Sequence, residues 1–93
     1  MTSVTDRITR YIELNRQRPG LDEAWLKDYG IAVWALIGYL HAADGDVARV
    51  AAAYDVPQEA VEAAITYYDQ HRALIDARIA ANDAECDNLL HMA

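Results

Sequence analysis

The sequence predicts a small α+β domain that is mainly α: a short N-terminal strand pair, then a three-helix bundle with a helix-turn-helix core and a long last helix. Three observations predict it. The stretch from Val47 to Ile65 is spaced as two helices joined by a tight turn, Val33–Leu40 carries a helical apolar stripe, and a turn signal at Arg18-Pro19-Gly20 separates two strand-like segments. A chain of 93 residues holds one domain with one modest core. We divide it into short strands and turn (7–30), a helical body (31–82) and a tail (83–93).

The N-terminal segment reads two ways. Ile8, Ile12 and Leu14 alternate with Thr9, Tyr11 and Glu13 as in a strand, whereas Ile8, Tyr11 and Ile12 share one helical face. Pro19-Gly20 marks a turn, and Glu23–Lys27 is a candidate second strand ending near Gly30. Strands over 8–27 are the preferred reading, with a helix as the alternative.

From Val33 to Ala43 the pattern becomes helical. Val33, Leu36, Ile37 and Leu40 form the stripe, with Trp34 and Tyr39 beside it. Gly45 stops that helix, and Asp46 suits the N-cap of the next. Val47, Val50, Ala51 and Tyr54 share a face, and Asp55 tolerates the left-handed backbone that ends a helix. Ala51 is small where the two helices would cross, and Val56 can fill the angle between them. Pro57 suits a first helical position, and no breaker follows until about Asn82. That implies one helix of about 25 residues, ~37 Å long, projecting from so small a body. An apolar line through Tyr68, Ile75 and Ile79, flanked by Leu74 and His71, would then need a partner.

Charge narrows the function. The net charge is −7. Arg7, Arg10, Arg16, Arg18 and Lys27 balance the acids of residues 1–30, so the whole excess lies in residues 31–93. Non-specific nucleic-acid binding depends on neutralising phosphates, which this acidity disfavours. A helix-turn-helix unit commonly sets its second helix in the DNA major groove. Here that helix carries Glu59 and Glu62 early, which repel phosphate. Gln58, Thr66 and Arg49 could still reach DNA beside Arg7, Arg10 and Arg16.

Catalysis finds little support. His41, His71 and His91 lack the spacing of a helical metal pair, and Ser3 is the only serine. Asp44-Gly45-Asp46 lacks the further oxygen ligands of a calcium loop, and a helix stop followed by a cap explains it better. There is no Gly-rich phosphate loop; no metal, cofactor or enzymatic activity is expected. No apolar run approaches the ~20 residues that span a bilayer. The opening Met1-Thr-Ser-Val-Thr-Asp-Arg7 has no signal-peptide apolar segment, and Cys86 is the lone cysteine. Together they point to a cytoplasmic protein with a reduced thiol.

Gly30-Ile-Ala-Val-Trp-Ala-Leu-Ile-Gly-Tyr-Leu40, Gly45-Asp-Val47 and the run from Tyr54-Asp-Val-Pro to Tyr67-Tyr68 resemble the domain-of-unknown-function 433 family over roughly residues 7–82. These are small bacterial and archaeal proteins related to helix-turn-helix domains. Many are read as antitoxins of type II toxin–antitoxin pairs, beside a PIN-like ribonuclease toxin. The chain departs from the family pattern at Lys27-Asp-Tyr-Gly30, where the family has an Arg-Gly-Thr-Arg-like turn, and at Ala32, where it has Pro.

The resemblance implies a non-catalytic antitoxin that neutralises a small ribonuclease-like toxin through a helical interface, and the thin, Ala-rich core favours a homodimer. The candidate interface, with the toxin or with a second copy of the chain, is Tyr67, Tyr68, His71, Arg72, Leu74, Ile75, Arg78 and Ile79. Arg72 and Arg78 either pair with Asp69 and Asp76 on their own helix or reach the toxin's metal-binding carboxylates. The alternatives are a DNA-binding autoregulator that binds operator DNA, and a structural homodimer with no toxin.

Overall fold

The computed structural model describes residues 4–14, 17 and 20–92, with side chains described for 8–14, 17 and 20–83. The fold is α+β and mainly helical, with a small antiparallel sheet near the N-terminus. Helix α1 (Val4–Tyr11) leads into strand β1 (Ile12–Glu13). A 3-10 turn (Leu21–Glu23) precedes β2 (Trp25–Leu26) and β3 (Ile31–Ala32). Four helices follow: α2 (Val33–Ala42), α3 (Val47–Tyr54), α4 (Gln58–Gln70) and α5 (Arg72–Met92).

Both readings of the N-terminal segment hold, each over part of it. Residues up to Tyr11 are helical because α1 packs along α4, with Ile8 and Tyr11 against the core. The Tyr11 hydroxyl donates to Glu59 Oε2 at 2.9 Å. Strand pairing begins at Ile12, which faces Leu26, while Glu13 faces Trp25. The expected pair of strands is extended by β3, where Trp25 faces Ala32 and Leu26 faces Ile31. Lys27-Asp28-Tyr29-Gly30 makes the β2–β3 turn. Asp28 and Gly30 both take positive φ there, and Gly30 N–H closes the turn on Leu26 O at 3.0 Å. At Gly20, φ is 138°, and a Cβ would meet Asp22 Oδ1 at 2.8 Å. No other residue fits that corner without displacing the aspartate.

The helix-turn-helix reading is borne out in its geometry. Asp46 Oδ1 accepts from Arg49 N–H at 3.1 Å and caps α3. Asp55 ends α3 in the left-handed region (φ 56°, ψ 50°). Val56 and Ala51 are buried at the crossing. Pro57 sits one position earlier than expected: it is the N-cap of α4, its carbonyl accepting from Ala60 N–H at 3.0 Å. All four stripe residues of α2 are buried.

The expected single helix from Pro57 to Asn82 is two. The chain breaks at His71, whose backbone (φ −132°, ψ 37°) is not helical. α5 then packs on α2 and the 3-10 turn and runs on to Met92, so the segment from Asp83 continues the helix. Folding back buries Ile75 completely and packs Ile79 against the core. The last helix is thus partly covered by its own domain, against the projecting arm expected from sequence. The core is thin: Leu26, Leu36, Ile37, Ile75, Val33, Val50 and Val61 are its largest fully buried side chains.

Candidate interaction surface

The helix α4, which a DNA-reading protein would lay in the major groove, is here the hub of the bundle. It packs against α1, α2, α3 and β1. Ala60, Val61, Ala63, Ala64 and Tyr67 are buried in those contacts. The positions left exposed include Gln58, Glu62, Asp69 and Gln70, two of them acidic. Thr66 donates its hydroxyl back to Glu62 O at 3.0 Å. Arg10 is exposed with its guanidinium 5.3 Å from the Tyr11 ring centroid, and Arg49 is exposed on α3. These residues sit on α1, α3 and α4 rather than on one groove-reading element. The Arg7 side chain, and all of Arg16, lie outside the described residues.

The eight candidate interface residues divide sharply. Tyr67 and Ile75 belong to the core, and the Tyr67 hydroxyl donates to Leu21 O at 2.6 Å. Burial first, and then the Asp22 charge, push the Tyr67 phenol above its ordinary pKa. The His71 ring lies 4.5 Å from the Tyr67 ring. Arg78 pairs with Glu23 Oε1 at 2.8 Å and lies 4.2 Å from the Trp34 ring centroid. Its expected partner, Asp76, instead accepts from the Tyr68 hydroxyl at 2.7 Å, a bond that raises the Tyr68 pKa. Arg72 does pair with Asp69, at 2.9 Å, in solvent. Leu74 is exposed, and Tyr68 and Ile79 are half-buried. A partner can therefore meet Arg72, Leu74, Tyr68 and Ile79, while Tyr67, Ile75 and Arg78 hold the domain together.

A second surface, rich in aromatic rings, lies between α2, the end of α3 and α5. An open groove of about 420 Å³ is lined by Trp34, Gly38, Tyr39, Tyr54, Ile79 and Asn82, among others. Tyr39 and Tyr54 meet edge to face with centroids 5.7 Å apart. Burial, and then the Tyr39 phenol, raise the pKa of Tyr54. A Cβ added to Gly38 would touch nothing within 4 Å, so the groove floor is open there. Asp83 and His41 also line it, and the His41 ring packs edge-on to Tyr68 at 5.8 Å.

Sequence reasoning placed Trp34 and Tyr39 beside the stripe of α2 and passed over their own face. The signal was there. Every residue of Val33–Ala42 except His41 is apolar or glycine, and a helix apolar all round has two faces to cover. The core covers one; the groove is the other.

Among the described residues, no group of three His, Cys, Asp or Glu is placed to hold a metal ion, and no helix is long and apolar enough to cross a membrane. No protein-family model, curated protein or solved structure matches the chain.

Proposed function

We propose that this chain is a non-catalytic, cytoplasmic antitoxin of the kind found in the domain-of-unknown-function 433 family. It binds a small PIN-like ribonuclease toxin through a helical surface and blocks it by covering its catalytic cleft. The observation that carries the reading is the aromatic groove of Trp34, Tyr39, Tyr54 and Ile79. Large amphipathic rings around an open floor are what protein interfaces use as anchors, because they bury much area at small entropic cost. A net charge of −7 favours a basic partner and raises its rate of encounter. The packing of α4 supports a protein target over DNA, since that helix is engaged on several sides and exposes acidic residues.

The reading is tested by recovering the tagged full chain from its native lysate and identifying what co-elutes in stoichiometric amount. The expected companion is a small protein with a nuclease-like carboxylate cluster, whose RNA cleavage stops when this chain is added. Recovery of the chain alone, or with a partner whose activity is unaffected, counts against it.

A DNA-binding autoregulator is the second reading, and the capped, left-handed turn at Asp55 is the observation that favours it. It requires operator affinity that falls steeply with salt and drops on loss of Arg10 or Arg49.

A further inference from the structure

We propose that α5 exchanges between two copies of this chain, with His71 as the hinge, so that the protein forms a helix-swapped homodimer. The proposal rests on the mismatch between local chain and local structure at that residue, and is independent of the antitoxin reading. Sharp helix breaks normally trace to proline, glycine or an inserted group. From Gln58 to Met92 the chain contains neither proline nor glycine. The backbone hydrogen bonds on both sides of the break are helical in kind. His71 N–H donates to Tyr67 O at 3.1 Å, and Ile75 N–H donates to His71 O at 3.0 Å. The residues flanking His71 thus favour one continuous helix, and tertiary docking of α5 bends it.

What docks α5 is on the page. Ile75 is fully buried, Ile79 packs on the core, and Arg78 pairs with Glu23 and lies over Trp34. The elements that receive α5, namely α2 and the 3-10 turn, precede the hinge in sequence. A second copy can therefore supply the same α5 to the same site with the docking contacts of Ile75, Arg78 and Ile79 kept. Straightening His71 would join α4 and α5 into a helix of about 35 residues, ~52 Å long, and deliver α5 beyond its own body. Short hinges that bend a chain against its preference are the setting in which such exchange occurs. The partner at this surface is a second copy of the chain.

Two variants separate helix preference from side-chain contact. His71→Ala and His71→Gly both lose the ring contact with Tyr67, but alanine favours the straight helix and glycine the break. The proposal expects the alanine variant to favour the straightened chain about fivefold, and to dimerise about 25-fold more tightly because two hinges straighten per dimer. Sedimentation equilibrium measures this directly. The second measurement fixes the connectivity: a Glu23→Cys, Arg78→Cys, Cys86→Ala chain is treated with a short bis-maleimide at a concentration where it is dimeric. Exchange predicts a covalent dimer on denaturing gels. Equal dimerisation of the two His71 variants, monomers throughout, or a dimer linked only within each chain would each overturn the proposal.

Discussion

Arg78 and Glu23, 55 residues apart in sequence, meet at 2.8 Å with side chains only 17% and 18% exposed. Their pairing fastens the last helix to the 3-10 turn ahead of the sheet, and the Trp34 ring stacks on the same guanidinium. A charge so placed is costly to leave alone. Arg78→Ala, which strands Glu23, is expected to lower unfolding stability by about 2–4 kcal/mol. Arg78→Lys should fall between the two, since lysine keeps the charge and loses the planar fork. Urea unfolding of the three proteins checks the order.

Two phenols, one buried and one half-buried, make stability fall in alkali. Tyr54 and Tyr67 both have pKa values raised above the ordinary 10.0, chiefly by burial. The folded state therefore holds these protons more tightly than the unfolded state. Their contribution is fully present below pH 10, and is lost as pH rises from there through the raised folded values. Urea midpoints should decline across that window, and Tyr67→Phe or Tyr54→Phe should flatten the decline. Tyr67→Phe should also cost about 1 kcal/mol at neutral pH, because Leu21 O loses its donor.

The two ends of α3 answer to opposite substitutions. Asp46→Ala removes the side chain that caps Arg49 N–H and is expected to cost about 1 kcal/mol. Asp55→Gly relieves a left-handed residue and should add about 0.5–1 kcal/mol, an effect that Asp55→Val reverses. In a domain of this size these changes correspond to melting shifts of roughly 4–8 °C per kcal/mol, so calorimetry resolves them.

What the sequence made legible was local. The apolar stripe of α2, the cap at Asp46 and the left-handed stop at Asp55 each depend on residues within one or two turns, and each appears where its spacing puts it. The sheet was legible only in outline, because strands of two residues are too short to show alternation. Ile31–Ala32 carried no signal apart from its neighbours. The break at His71 was not legible at all, since no residue there opposes a helix; Ile75, Arg78 and their distant partners decide it. The groove was missed for a related reason. Tyr39 and Tyr54 lie on separate helices, and only the α2–α3 packing brings their rings together. The antitoxin proposal draws on family resemblance, which no local pattern in the chain replaces.

Tyr39 is the residue on which the groove can be probed most cleanly. It is exposed and contributes to the fold chiefly through its edge contact with Tyr54, worth about 1 kcal/mol. Tyr39→Ala should therefore leave a folded domain with slightly lower stability. As an interface anchor its loss should weaken partner binding about 30-fold or more. Leu74→Ala, on the exposed side of α5, serves as the comparison and should have a smaller effect.

The most direct measurement is to recover the partner proposed above from native lysate and, where it cleaves RNA, to titrate that cleavage against increasing amounts of this chain. The account predicts that cleavage falls to background at one chain per nuclease, and that Tyr39→Ala shifts the titration to markedly higher concentration while retaining its circular dichroism spectrum. Undiminished cleavage in the presence of excess folded chain, or inhibition indifferent to Tyr39, would contradict it.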